Sequence, residues 1–502
     1  MTTPTLALAL LAVAPLVALA IYRLYLSPLA KFPGPKLAAL TGAYEGYFDC
    51  LNDGGGRYYV EINRMHEKYG PIVRINPWEL HIRDPEWTEI YRVTRRASKP
   101  RWFYGMFGTV GNTFSTEDPD MHRMRRDAMQ PYFSPAAVAR HEPEVDRLVG
   151  ILMDRLRGHK GKHQVVDIGD AFRCLATDVA TAFVFRQPFG HLNHPDFEHV
   201  SNRAVRSFGR LGLMNRQTEG WLMYIMSLIP PHIAIKLNPA ALGTRGFFKK
   251  LAEFVDRELK TNADGQGGEE VEANIIKQIL RSNLPQDEKS PARIARECSS
   301  VTLAGTETSG NQLTSVTYYL LNNPRKLSQL REELTTAEKR LGRRLNYREL
   351  RDLPYLTGVI NEGHRLSGVS GRLPRYDPKN DMSYNGYTIP KGTIVSTTQN
   401  DLHFSPDIFP EPTAFIPERW IEKNENKRLS KYLNPFGRGT RACLGMEVAN
   451  LEIYITIARL FSQSSEIELK LHETNFENDV AVFHDFFSPF PKGLDGIRVL
   501  VE

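Results

Sequence analysis

Apolar and polar positions along this chain repeat with two different periods, and the change from one period to the other marks out its elements. Val60 to Tyr69 repeats at helical spacing until Gly70 stops it. Ile72-Val-Arg-Ile75 and Glu79-Leu-His-Ile82 then alternate every second residue around Asn76-Pro77, which predicts a β-hairpin. Asp84-Pro85 predicts the start of another helix. From 140 to 260 the pattern is helical and carries little chemistry. Within it, Trp221 to Ile229 is apolar and ends at Pro230-Pro231; too short to span a bilayer, it reads as core or as a contact with a membrane surface. Asn262 to Glu272, rich in glycine and acids, predicts a solvated loop.

Ser290-Pro291 pairs a capping side chain with a first-turn proline, and no proline follows until Pro324. One helix over 291–322 is predicted, about 48 Å long at the α-helical rise. Its middle, Ala304-Gly-Thr-Glu-Thr-Ser-Gly310, breaks the apolar pattern where a buried helix should be strongest. A glycine there costs about 1 kcal/mol, and threonine competes for the i−4 carbonyl, so something is expected to lie against that stretch. Beyond it, a helical segment beginning near Tyr355 carries Glu362-x-x-Arg365, a pairing common on any helix surface. Asn385-Gly386 and Pro390-Lys-Gly392 are turns flanking short strands, and Val480 to Phe490 predicts a C-terminal hairpin bearing Phe483, Phe486 and Phe487.

The last long apolar run, Met446 to Phe461, is broken by few charges (Glu447, Glu452 and Arg459) and predicts a helix buried on most faces. Before it, Pro435, Gly437 and Gly439 make a tight loop that ends at Cys443, at the helix start. Helix dipole and free N–H groups there are expected to favour a thiolate.

Composition narrows the classes. A formal net charge of +6 over 502 residues is too mild for a nucleic-acid-binding protein. The four cysteines, Cys50, Cys174, Cys298 and Cys443, are widely spaced, which excludes a disulfide framework or zinc cluster and fits a reducing compartment. No Asn-x-Ser/Thr sequon occurs, in keeping with a body outside the secretory lumen. Leu6 to Ile21 is an uncharged apolar run containing Pro15, followed by Arg23, Lys31 and Lys36. Ala18-x-Ala20 would suit cleavage of a signal peptide, but Met1 to Thr5 carries no basic residue. The positive-inside asymmetry favours a retained membrane anchor over 1–26, with the body on the cytosolic side. A proline-rich linker over 27–36 and a single large domain over 37–502 complete the expected organisation.

The stretch Phe436-x-x-Gly439-x-Arg441-x-Cys443-x-Gly445 resembles, at every defined position, the haem-binding loop of the cytochrome P450 family. Three further motifs follow the family's order. His122-x-x-x-Arg126 resembles a propionate-binding pair in which tryptophan is commoner than histidine. Ala304-Gly305-x-Glu307-Thr308 resembles the oxygen-side helix. Glu362-x-x-Arg365 is followed by Pro417-Glu-Arg419-Trp420, where phenylalanine is commoner than tryptophan.

The resemblance implies a predominantly helical α+β fold around one haem b with Cys443 as axial ligand. It implies that Phe436 shields the sulfur, that Gly439 and Gly445 let backbone N–H groups approach it, and that Arg441, Arg126, His122 and Arg375 meet the propionates. Gly305 would make room for dioxygen, with Glu307 and Thr308 forming a proton relay. Glu362, Arg365 and Arg419 would form a buried structural network. The aromatic-rich loop over 97–116, residues Val369 to Leu373 and the C-terminal hairpin tip would line the substrate site.

The implied activity is insertion of one oxygen atom from dioxygen into a small lipophilic substrate. Electrons would come from an NADPH-dependent flavoprotein reductase docking on Arg123, Arg125, Lys427, Arg428, Lys431 and Arg438. The protein is expected to be a monomer in the endoplasmic reticulum membrane. Arg365-Leu-Ser-Gly-Val-Ser-Gly-Arg-Leu-Pro-Arg375 and His484-Asp-Phe-Phe-Ser-Pro-Phe-Pro491 resemble filamentous-fungal members of secondary metabolism, implying terpenoid or polyketide-derived substrates. A haem-thiolate isomerase or dehydratase, and a non-catalytic haem carrier or sensor, are the alternatives; intact Glu307 and Thr308 count against both.

Overall fold

The computed structural model describes residues 13–108, 110–230, 233, 236, 240–263, 274–367 and 371–502. The first part of the expected anchor, Val369 of the expected pocket and most of the acidic loop lie outside them. Among the described residues, no helix is long and apolar enough to cross a membrane.

The architecture is mostly helical, with small sheets at the periphery. Helix Tyr58–Tyr69 ends at Gly70, whose φ of +92° suits glycine alone. The predicted hairpin forms from Ile72–Arg74 and Glu79–Ile82, and Ile394–Ser396 adds a parallel third strand. After it, Asp84-Pro85 starts no α-helix; only a short 3₁₀ turn, Glu89–Tyr91, follows. The C-terminal hairpin pairs His484–Asp485 with Pro489–Phe490. Met382–Tyr384 pairs with Tyr387–Ile389 around the Asn385-Gly386 turn, both of whose residues have positive φ.

The core lies between helices. Ile168–Phe185, capped by Asp167, packs along Pro291–Leu321, and both bury most of their length. Glu142–Arg157 and Met446–Phe461 close the same apolar cluster from the other side. Ser290 precedes the long helix as expected, but its side chain makes no capping hydrogen bond. Trp221–Ser227 is helical and is not core: Trp221 is 65% and Leu228 66% exposed, with Tyr224 and Ile225 beside them.

What lies against the glycines of the long helix is its neighbour. A Cβ on Gly310 would stand 2.9 Å from Arg173 Cγ and 3.2 Å from Arg173 Cα; one on Gly305 would stand 3.2 Å from Ala180 Cβ. Both glycines therefore serve the close approach of two helices.

Candidate active site

The loop before helix Met446–Phe461 is shaped by backbone approach. Gly437 and Gly439 have positive φ, and a Cβ on Gly439 would collide with the Tyr91 carbonyl oxygen at 2.0 Å. Cys443 N–H donates to the Phe436 carbonyl at 2.7 Å, closing the turn that presents the sulfur. The Phe436 ring meets His364 edge-on at 5.0 Å. Cys174 and Cys298 are buried and Cys50 is half-buried, whereas Cys443 is exposed. The surrounding protein nevertheless crowds its sulfur. Burial pushes the Cys443 thiol up, and the Gly445 amide and Arg126 only partly offset this. The helix start alone therefore does not produce the expected thiolate; a cation at the sulfur would.

The long helix contributes an unusual stripe. Ala304 and Thr308, one turn apart, are exposed, whereas every other residue from Glu297 to Leu321 is buried or half-buried. Thr308 Oγ1 donates back to the Ala304 carbonyl at 2.8 Å.

Near the sulfur, cations converge without counter-charge. Arg126, on helix Pro119–Met129, donates to the Ala442 carbonyl at 2.7 Å. Arg441 donates to the carbonyls of Thr116 (2.6 Å) and Glu117 (2.8 Å), and its Nε has no partner among the described residues. Arg375 is bonded to the Tyr104 hydroxyl and to the Pro374 carbonyl. Lys99, which the sequence did not single out, is buried and donates to the Phe114 carbonyl at 2.6 Å. Among the described residues, none of these four is ion-paired to a carboxylate. Burial and the neighbouring guanidinium groups push Lys99 well down and Arg441 down to about 9. His122 is buried, and burial with Arg441 drives it down to about 2, so it is neutral. Such a cluster is stable beside anions. The two propionates of a haem would supply them, and an exposed thiol is chemically suited to ligate its iron. The residues present fit that group.

Residues 48–477 match the cytochrome P450 family model. The chain belongs to the cytochrome P450 family. Its relatives include a cytochrome P450 monooxygenase of Ascocoryne sarcoides, 35% identical and aligned over 96% of each chain. Another, from Sordaria araneosa, is 37% identical over 98% of this chain and 97% of its own. A tryptophan 6-hydroxylase of Fusarium equiseti is 38% identical over 96% of this chain and 94% of its own. The family uses haem held by a cysteine thiolate, with dioxygen, a substrate and a redox partner; its members here are fungal monooxygenases of secondary metabolism.

The remaining P450 motifs are placed as follows. Glu307 is buried and does not face solvent, as a link to bulk water would need: Arg173 donates to it twice, at 3.1 and 3.2 Å. Arg173 belongs to helix Ile168–Phe185; burial works to lower its guanidinium, but Glu307 together with Asp170 and Asp167 holds it above the usual range.

Glu362, Arg365 and Arg419 come together as predicted. Arg365 donates to Glu362 at 3.0 and 2.8 Å and Arg419 donates to it at 3.1 Å. Trp420 Nε1–H adds a fourth bond to Glu362 at 2.9 Å, one that phenylalanine could not make. The link onward to the cysteine loop is His403, missed in the sequence. Its carbonyl accepts from Arg365 at 2.7 Å, and its Nε2 accepts from the Asn434 amide at 3.0 Å. Burial and Arg365 push His403 down to about 3, so Nε2 is free to accept.

The expected basic docking face loses a member. Arg125 is half-buried and clamps Glu288 with two bonds of 2.7 Å.

Proposed function

We propose that Cys443 is the axial haem ligand, with Phe436, Gly439, Arg441 and Gly445 shaping its loop. The protein then inserts one oxygen atom from dioxygen into a small lipophilic substrate, with terpenoid and polyketide skeletons as the expected classes. The observation that carries this reading is the combination of an exposed thiol, an exposed Ala304/Thr308 stripe and four cations without carboxylate partners among the described residues, Lys99 and Arg375 buried and Arg126 and Arg441 half-buried.

Haem bound here supplies dioxygen activation and oxygen-atom transfer. The chain's own residues do the rest. Arg126, Arg375, Arg441 and Lys99 bind the propionates, and neutral His122 offers one N–H donor. Thr308 Oγ1 holds a proton at the cleft. Glu307, one residue before it, is the carboxylate of the proposed relay, and Arg173 holds it on the protein side. Electrons arrive from an NADPH-dependent flavoprotein reductase, a docking supported by the exposed or partly exposed Arg123, Lys427, Arg428, Lys431 and Arg438. Residence at the endoplasmic reticulum membrane is supported by the apolar Leu6–Ile21 run and the exposed Trp221–Leu228 patch, and a cytosolic body by Arg23, Lys31 and Lys36 after that run.

Reduction of the purified protein under carbon monoxide should give the red-shifted Soret band of a thiolate-ligated haem; its absence would remove Cys443 as ligand. Thr308→Ala should divert reducing equivalents from product to hydrogen peroxide, and unchanged coupling would remove the relay. Product formed without oxygen uptake would favour the isomerase.

A further inference from the structure

Two buried histidines reach the cysteine loop from separate helices, and Arg365 joins them. His364 precedes Arg365 on helix Pro354–Ser367 and is 7% exposed. His403 ends helix Gln399–His403, is fully buried, and accepts from Arg365 through its carbonyl. The two grip nearby residues of one turn. His403 Nε2 accepts from the Asn434 amide at 3.0 Å, and the His364 ring meets the Phe436 ring edge-on at 5.0 Å. The Phe436 carbonyl is the acceptor that closes this turn on the Cys443 amide. On its other side His364 Nε2–H donates to Asn450 Oδ1 at 3.4 Å, on helix Met446–Phe461.

The site excludes charge on both rings. An Nε2 that accepts from a backbone N–H carries no proton, so the proton of His403 sits on Nδ1. That Nδ1–H is buried without a partner among the described residues, a loss that a side chain kept for packing alone has no reason to bear. Burial, Arg365, His364 and Arg438 push His403 down to about 3; burial pushes His364 down to about 4 against its Asn450 bond. Glu362, on the same helix as His364, is taken up by Arg365, Arg419, Trp420 and the Ile416 amide.

We propose that His364 and His403 are positioning residues for the axial thiolate, a neutral pair that fixes Phe436 and Asn434 and through them the shielding of the sulfur. The proposal rests on the haem-thiolate reading, which puts Phe436 over the sulfur. A loop freed at either residue admits water to the sulfur, and hydrogen bonds from water draw charge off a thiolate and raise the iron's potential. Acid acts in the same direction. Each ring binds a proton more readily with the loop released than with it held. The grip is therefore complete above the ordinary imidazole value of 6.5 and weakens as pH falls toward the folded values.

The test follows the carbon monoxide band and the haem reduction potential of the full holoenzyme. His403→Gln offers the Asn434 amide an oxygen that no proton takes; His403→Leu offers nothing. Near neutral pH the glutamine variant should keep the wild-type band and potential. The leucine variant should shift the balance toward the unshifted band of a lost thiolate roughly tenfold, the effect of one buried donor left unpaired. On acidification His403→Gln should hold the thiolate-type band to lower pH than wild type. His364→Phe keeps an aromatic edge at Phe436 and should keep the potential, whereas His364→Ala should raise it. A wild-type band and potential in His403→Leu would overturn the proposal. So would an acid curve in His403→Gln that matches wild type, or equal potentials in the two His364 variants. Should His403→Leu retain no haem, the acid curve of His403→Gln decides. A wild type without the thiolate-type band removes the haem reading itself; a normal wild-type band with unmoved variants removes the histidine pair alone.

Discussion

At the scale of single residues, burial decides more than residue type. Glu452 lies on the helix that follows Cys443 and is 2% exposed. Burial pushes its carboxyl up to about 8 against a hydrogen bond from Ser309, and its Oε1 has no partner among the described residues. A carboxyl whose folded pKa is raised stabilises fully below its unfolded pKa of about 4.3, and that contribution is lost as pH climbs through the folded value. Glu452→Gln keeps the shape and removes the ionisation. Thermal unfolding of the variant should therefore vary less between about pH 5 and 8 than that of wild type. Parallel curves would mean that Glu452 ionises freely in the fold. In the sequence this residue is one of three charges interrupting an apolar run. Lys99 is likewise a lone lysine in an aromatic loop. Neither can be read ahead, because what distinguishes each is a desolvated position that only the tertiary fold creates.

At the scale of elements, the long helix shows where local pattern ends. Its limits were legible: the proline after Ser290 and the proline-free run to Pro324 bracket the observed Pro291–Leu321. That something lies against Gly305 and Gly310 was also legible, from their cost. Its identity was not, since Arg173 and Ala180 stand more than a hundred residues earlier and no periodicity encodes that pairing. The two kinds of helical glycine should respond oppositely to alanine. At Gly310 the propensity gain of about 1 kcal/mol meets a Cβ clash with Arg173 at 2.9 Å, and overpacking of this kind costs about 1–3 kcal/mol. Gly310→Ala is therefore expected to lower Tm and to disturb the Arg173–Glu307 pair. At Gly246, in helix Ala240–Ala263, the added Cβ meets nothing within 4 Å. Gly246→Ala should raise Tm. A stabilised Gly310→Ala would show that the helix crossing yields easily.

At the scale of the whole molecule, the haem-side loop is held by a chain of bonds crossing four separate stretches. Glu362 and Arg365 lie on helix Pro354–Ser367, Arg419 and Trp420 on the turn Pro417–Trp420, His403 on helix Gln399–His403, and Asn434 opens the cysteine loop. The motif residues were legible through their order along the chain; the joint at His403 was not, because it acts through its own carbonyl and one ring nitrogen. Glu362 is fully buried and accepts from Arg365, Arg419, Trp420 and the Ile416 amide. Removing its charge leaves two guanidinium groups without their anion, a loss worth about 3–5 kcal/mol for a buried pair. Trp420→Phe removes one hydrogen bond to a charged group, about 1.5–3 kcal/mol, and leaves both ion pairs. Glu362→Gln is accordingly expected to lower Tm well beyond Trp420→Phe. It should also lower the haem bound per chain, since the Arg365–His403–Asn434 link loosens with it. Unfolding scans paired with haem quantitation check both. Equal losses in the two variants would place the loop's support in the tryptophan bond, and full haem content in Glu362→Gln would show that the cysteine loop stands without the network.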